Sequence, residues 1–277
     1  MTADDPTATW AARVLANREQ SERVRETPSD DDFYAPVSTF FVADPRRTDD
    51  PTCEVLRSIV RPGETWLDIG AGAGRFALPI ALLAGEVVAV EPSPAMLGAL
   101  REGMTAHAIV NVRPVEARWP PDDPALAASV RADVALIAHL GYDVTELGPF
   151  LDAMEAAARR LCVAVLSERA PSWRAGPFWP VVHGEPRQPL PGLPHFLDIV
   201  RVRGHVPAVI YVERPSRSFR SREDLVRWLQ NQLFVSEGSE RDRRLLAAME
   251  RRTTEGPDGL VLRGDVPGRE GIVTWTP

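Results

Sequence analysis

Residues 65–81 read TWLDIGAGAGRFALPIA. An apolar run ends in Asp68, then Gly70, Gly72 and Gly74 alternate with alanines, and a helix-like pattern follows. Glycine loses more backbone freedom on folding than any other residue. Three of them in one turn therefore mark a chain that bends sharply and approaches something closely. A helix opening directly behind such a turn presents unpaired N–H groups, so the segment forms an oriented site for a ligand.

Outward from this turn, strand-like and helix-like segments alternate. Strands are expected at 65–69, 87–91, 112–116, 133–138 and 161–167, and helices at 75–84, 94–104, 124–131 and 146–159. Strands apolar on both faces, alternating with helices, predict an α/β fold with a mostly parallel sheet covered on both sides. The rhythm breaks at 170–194, APSWRAGPFWPVVHGEPRQPLPGLP, which reads as a long irregular loop of functional character. A helix at 193–203 and a strand at 206–213 resume the pattern. Helices at 221–234, with Ser221 as N-cap, and at 239–252 come next. The chain ends in LVLRGDVPGREGIVTWTP, which suits a terminal hairpin with its last strand near 271–275. Ahead of the core lie an amphipathic helix at 9–25 and a short helix at 52–60 stopped by Pro62 and Gly63.

The expected organisation is an N-terminal helical cap or lid (1–50) and one domain (51–277). The domain divides into a ligand-binding core at 60–170, a substrate loop at 170–192 and a helical insertion at 219–255 before the last strand. Phe40 and Phe41 belong either to the lid or to the core.

Composition narrows the function. With 44% hydrophobic and 26% charged residues the 277-residue chain has the balance of a soluble globular protein. No apolar stretch approaches the ~18 residues that would span a bilayer, and MTADDPTATW has no signal-peptide character. Cys53 and Cys162 stand far apart in no metal-ligand spacing, so free thiols in a cytoplasmic protein and no metal centre are expected. Net charge is −7, which argues against a large nucleic-acid partner. All 32 basic residues are arginine, which excludes Schiff-base chemistry and a P-loop, since both need a lysine amine.

Two ligand classes use a glycine turn after a strand. A dinucleotide fold wants G-x-G-x-x-G, but the spacing here is G-x-G-x-G and the sixth position is Arg75. The segment LDIGAGAGRFAL instead resembles the first motif of the class I S-adenosylmethionine-dependent methyltransferases. The resemblance continues over roughly residues 60–170. In VVAVEPSPAML, Glu91 closes the second strand, where that family places an acid for the ribose hydroxyls, with Pro92, Ser93 and Met96 as the adjoining adenosine wall. VRPVEARWP resembles the adenine-contacting segment, implicating Glu116, Ala117, Arg118 and Trp119. It departs from the family by lacking an Asp for the adenine amine, for which a backbone contact and the face of Trp119 would substitute. The resemblance implies a Rossmann-like methyltransferase sheet of seven mostly parallel strands and S-adenosyl-L-methionine as cofactor. It also implies cofactor contacts from Asp68, Gly70, Ala71, Gly72 and Gly74.

Methyl transfer from a sulfonium needs alignment above all, and a base only where the nucleophile must lose a proton. His139, at the end of ADVALIAHLGY, is the candidate base, since open α/β sheets bind ligands at the carboxyl ends of their strands. It could equally hydrogen-bond cofactor or backbone. Asp68 either orders the cofactor loop or caps the next helix. Tyr142 is substrate wall or packing. Trp179, His183 and Glu185 are candidates from the long loop, with Trp173 and Trp179 read as anchors of that loop.

The acceptor class follows by subtraction. After the fourth strand stands His139-Leu140-Gly141-Tyr142, not the Asn/Asp-Pro-Pro-aromatic run of enzymes that methylate amino groups of bases or glutamine. Neither cysteine has the Pro-Cys context of a cytosine-C5 nucleophile. The expected activity is methyl transfer to O or N of a small molecule, by a monomer or homodimer. The alternatives are a binding protein without transferase activity and an NAD-dependent oxidoreductase.

Overall fold

The computed structural model describes residues 5–26 and 42–277, so Phe40 and Phe41 lie outside the described residues. Among the described residues there are ten strands: β1 (Thr65–Ile69), β2 (Glu86–Glu91), β3 (Val112–Glu116), β4 (Ala132–Ala138), β5 (Ala158–Ser167), β6 (Ala208–Arg214), β7 (Ser218–Phe219), β8 (Thr253–Gly256), β9 (Gly259–Leu262) and β10 (Gly268–Trp275). The α-helices are α1 (Pro6–Val24), α2 (Pro51–Ile59), α3 (Ala77–Ala81), α4 (Pro94–Ala106), α5 (Pro124–Ser129), α6 (Leu147–Ala157), α7 (Trp179–His183), α8 (Leu193–Val202), α9 (Arg222–Leu233) and α10 (Glu240–Arg252).

Seven strands form one sheet in the order β3-β2-β1-β4-β5-β10-β6. The first five are parallel and β10 runs antiparallel between β5 and β6. The order reverses at β1 and β4, and such a switch point opens a crevice at the strands' carboxyl ends. The burial of β1, β2 and β4 on both faces matches their unbroken apolar runs. Pro114 sits within β3, which is possible because β3 is an edge strand and need not donate outward.

Two helical layers close the sheet. Trp10 and Val14 of α1, Leu147, Phe150 and Leu151 of α6 and Phe196 and Ile199 of α8 cover one face. Leu56 of α2, Leu78 and Ile80 of α3 and Leu97 and Leu100 of α4 cover the other. Burying each such side chain contributes roughly 1.5–3 kcal/mol. Helix α1 thus belongs to the body: its Trp10 indole N–H donates to the Val144 carbonyl at 2.9 Å, and its ring meets Phe196 edge-on at 6.5 Å.

Four expectations change. Helix α3 is far shorter than 75–84, because the turn runs on to Phe76 and Pro79 brings no N–H. The irregular loop is largely ordered, as a 3-10 helix over Pro171–Phe178 running into α7. The terminal hairpin does not form. Instead β9 pairs with β7 and β8 in a separate three-stranded sheet, while β10 joins the main sheet. That small sheet makes the insertion more than helical. With α7, α9 and α10 it encloses a third core of Phe178, Trp179, Val182, Phe219, Leu225, Leu229, Leu245 and Met249. Ser221 caps α9 as expected, accepting from the Asp224 N–H at 3.1 Å. Among the described residues no helix is long and apolar enough to cross a membrane.

Candidate active site

A cleft of about 850 Å³ opens at the carboxyl ends of β1, β2 and β4. Asp68, Gly70, Ala71 and Gly72 reach it from the first strand, Glu91, Pro92 and Met96 from the second. Ala117, Arg118 and Trp119 follow β3, and His139 and Leu140 follow β4. The sequence scatters these residues over some seventy positions, and the parallel sheet collects them along one edge.

The turn has a defined architecture. Gly70, Gly72 and Gly74 all have positive φ (71°, 54° and 83°), a region that side-chain-bearing residues seldom adopt. Their roles nonetheless differ. A Cβ on Gly70 would come within 2.8 Å of Leu140 Cδ2, so the absent side chain lets the β4 loop close over the turn. A Cβ on Gly72 would meet only Met96 Sδ, at 4.0 Å, and its side chain would fill the cleft. Gly74 does not line the cleft. A Cβ there would lie 2.4 Å from Leu100 Cδ1, so its bareness serves the packing of α4.

Glu91 braces this turn. One carboxylate oxygen accepts the Gly72 N–H at 3.0 Å and the other accepts the Ser93 N–H at 2.9 Å. Ser93 in turn caps α4 through the Met96 N–H at 3.1 Å. Asp68 is fully buried, and burial, with Glu91 nearby, raises its pKa to about 7 against a hydrogen bond from the Ala77 N–H. On the far wall, the Trp119 indole N–H donates to the Phe150 carbonyl at 3.3 Å, which sets its ring edge-on to Phe150.

His139 stands at the centre of a charged cluster that local motifs did not reveal. Its φ of 55° turns the chain sharply at the end of β4, and its own N–H holds the Val165 carbonyl at 2.9 Å. Its Nε2 lies 3.4 Å from Glu270 Oε1 on β10. Glu270 also accepts the Thr52 hydroxyl at 2.8 Å and faces Arg214 Nε at 3.3 Å. Behind it Asp50 gathers Arg214 at 2.8 Å, Arg75 at 3.0 Å and Arg47 at 3.3 Å. Burial pushes the Asp50 carboxyl up, but Arg75, Arg214 and Arg47 together hold it well below the usual range. For His139 burial dominates and lowers the pKa. Arg75 and Arg214 act the same way, Glu270 and Asp50 oppose, and the imidazole is neutral at pH 7.

The remaining expected residues lie elsewhere. Glu116 is exposed and off the cleft. Tyr142 is buried, its hydroxyl oxygen accepting the Ser167 N–H, and burial lifts its pKa to about 12. It is packing that ties the β4 loop to β5. Trp179 is buried in the third core with its ring 4.5 Å from that of His183, whose Nε2 contacts the Leu233 carbonyl at 3.0 Å. Glu185 pairs with Arg23 of α1 at 2.7 Å. None of these three lines the cleft. Proline spacing in the long loop gave no signal of which way it folds, and it turns Phe178 and Trp179 toward α9 and α10. Trp173, read as an anchor, does line the cleft. Among the described residues, no group of three or more His, Cys, Asp or Glu could hold a metal ion.

The fold as a whole agrees with solved structures. A Bacillus halodurans C-125 protein named as a methyltransferase superposes with a TM-score of 0.54 at 11% identity, covering 82% of this chain and 100% of that one. The YcgJ protein of Bacillus subtilis gives 0.53 at 11% identity over 80% and 96%. This chain has the class I methyltransferase fold. No family model matches it. A curated relative, the 23S rRNA (uracil(1939)-C(5))-methyltransferase RlmD of Shewanella sp. (strain ANA-3), is 42% identical over 52 residues, which is 19% of this chain and 12% of that protein.

Proposed function

We propose that this protein is an S-adenosylmethionine-dependent methyltransferase that methylates O or N of a small molecule. The observation that carries this reading is the Glu91 carboxylate on the Gly72 N–H, which puts an acid from the second strand against the bare glycine turn within one cleft.

The residues present suit a sulfonium nucleoside. Gly70 and Gly72 leave the turn's main chain open for close approach, and a side chain at Gly72 would occupy the space. Glu91 offers oxygens to a ribose, Pro92 and Met96 form an apolar wall beside it, and Trp119 offers a ring to a base. When bound, the cofactor supplies an electrophilic methyl group on a good leaving group. The chain's own task is then orientation and proton management. His139 is neutral at pH 7 and lines the same cleft. Glu270 beside Nε2 favours the tautomer protonated there, leaving Nδ1 to accept a proton from a hydroxyl nucleophile.

Incubation with methyl-labelled cofactor and a metabolite extract tests this reading. Transfer of label to a small molecule supports it, whereas tight cofactor binding with no transfer would make the chain a cofactor-binding protein without transferase activity. The partial likeness to an RNA methyltransferase supports methyl transfer and leaves the acceptor to experiment.

A further inference from the structure

The half of the cleft beyond His139 is built from three segments distant in sequence. The chain after β5 brings Glu168, Arg169, Trp173 and Arg174; the end of β6 and the chain behind it bring Arg214 to Arg217; the start of β10 and the chain before it bring Val266 to Glu270. Counting Arg75, six arginines line this half: Arg75, Arg169, Arg174, Arg214, Arg217 and Arg269. They meet four carboxylates, Glu168 and Glu270 on the surface of the cleft and Asp50 and Asp265 behind it. In a protein of net charge −7, this half of the cleft thus carries two more arginines than carboxylates.

The excess has an address. Arg75 and Arg214 are committed to Asp50 and Glu270, and Arg269 to Glu168 at 2.7 Å. Arg174 spends its Nε on Asp265, at 3.0 and 3.1 Å, but its Nη2 is buried with no hydrogen-bond partner. A buried donor left unpaired costs roughly 1–3 kcal/mol, and more for a charged group. Among the described residues Arg169 and Arg217 reach no carboxylate within salt-bridge distance. Aromatic rings position them: Arg169 and Arg174 lie 5.0 and 5.2 Å from the centre of the Trp173 ring, and Arg217 lies 5.2 and 5.0 Å from those of Phe219 and Trp228. Asp265, the carboxylate nearest to hand, is already shared between the Arg174 side chain and the Arg217 backbone N–H at 3.1 Å. Burial lowers the Arg217 pKa, and the neighbouring Arg174 lowers it further. A staple between the main sheet and the small sheet explains Arg174 Nε alone. Among the described residues it leaves Arg174 Nη2, Arg169 and Arg217 without an anionic partner.

We propose that the methyl acceptor is a small organic anion, a carboxylate or a phosphate monoester, whose charge is received by Arg174 and Arg217 with Arg169 at the rim. This rests on the methyltransferase reading for its meaning as an acceptor site. Guanidinium forks suit both groups, since each offers paired oxygens at matching spacing. Arg169, Arg174 and Arg217 line one cleft, whereas a protein reading a nucleic-acid backbone spreads its basic residues along an exposed stripe.

Calorimetry on the full chain with S-adenosylhomocysteine present tests the proposal, using benzoate, phenyl phosphate and the uncharged isostere benzamide as probes. Benzoate or phenyl phosphate should bind at least tenfold more tightly than benzamide, and the stronger of the two names the anion. Arg217→Gln, which disturbs no ion pair, should weaken the anion at least tenfold while S-adenosylhomocysteine affinity stays within twofold. Arg174→Gln should weaken it further. Equal binding of benzamide and both anions, or no effect from either variant, overturns this inference alone if S-adenosylhomocysteine still binds. Failure of S-adenosylhomocysteine to bind overturns the methyltransferase reading, and the acceptor role with it. Displacement of the bound anion by a ten-nucleotide single-stranded RNA would reassign the surface to a nucleic acid and overturn the small acceptor.

Discussion

The two halves of the cleft are built on opposite plans. One half is nearly bare: glycine main chain, a proline, a methionine and a tryptophan face, with Glu91 bracing the turn and Asp68 buried near it. The other is crowded with guanidiniums and carboxylates whose partners come from three separate segments. The first half depends on main-chain shape, so it tolerates few substitutions but needs few residue types. The second depends on charge balance, so removing one member exposes another. His139 stands at their boundary, with the glycine turn on one side and Glu270 on the other.

If shape governs the first half, Gly72→Val should be the most damaging change available. The branched side chain fills the cleft and strains a φ of 54°, and S-adenosylhomocysteine affinity should fall by about a thousandfold or more. Unchanged affinity in calorimetry would remove the turn from the binding site.

Asp68 probes the same half through pH. Its carboxyl holds a proton in the fold up to about pH 7, while the unfolded chain releases it near pH 4. The unfolded state therefore binds fewer protons between those values, and stability falls as pH rises from about 4 to about 7, then levels off. Asp68→Asn keeps an acceptor for the Ala77 N–H and removes the ionisation. Relative to wild type it should gain up to roughly 4 kcal/mol at pH 8 over its standing at pH 4, since each tenfold change in proton affinity corresponds to about 1.4 kcal/mol. Parallel denaturation curves for both proteins across that range would break the assignment.

At the boundary, His139→Ala should lower label transfer by about a hundredfold while leaving S-adenosylhomocysteine affinity within twofold. A base acting as a neutral imidazole with a lowered pKa places the acid limb of the rate profile below pH 6.5. Transfer that survives the substitution intact would make His139 a structural group.

The smallest effect belongs to Glu270, a positioning residue that acts through His139. Glu270→Gln takes away the negative charge that raises the imidazole pKa, so the acid limb should move to lower pH and turnover should fall by about tenfold. A lower rate with an unmoved limb would mean that Glu270 only supports the fold through Arg214 and Thr52.

The contrast between the halves also explains what could be read in advance. Gly70, Gly72, Glu91 and Met96 sit where local pattern put them, because a parallel βα unit brings the end of each strand to one sheet edge by construction. Ser221 was legible as a cap for the same reason, its bond spanning three residues. Gly74 shared the motif's spacing, yet only the Leu100 contact shows that its bareness serves packing. His183 and Glu185 looked like a pair, but direction in a proline-rich loop is set by the body it packs on. Here that body is α9 for His183, through the Leu233 carbonyl, and α1 for Glu185.

By itself, the sequence determined the alternating α/β core, the glycine turn, the acid one strand over and His139 at the rim. Each follows from contacts within one βα unit or between adjacent ones. Only the tertiary structure decided that Glu270, Arg214, Thr52 and Asp50 surround His139, and that Arg169, Arg174 and Arg217 share one wall. Those residues meet because β10 enters the sheet antiparallel between β5 and β6, pairing with β5 across more than a hundred residues, which no local period encodes. Side-chain charge has no periodicity to betray it. It acquires meaning from its neighbours, and the chain must fold before it has them.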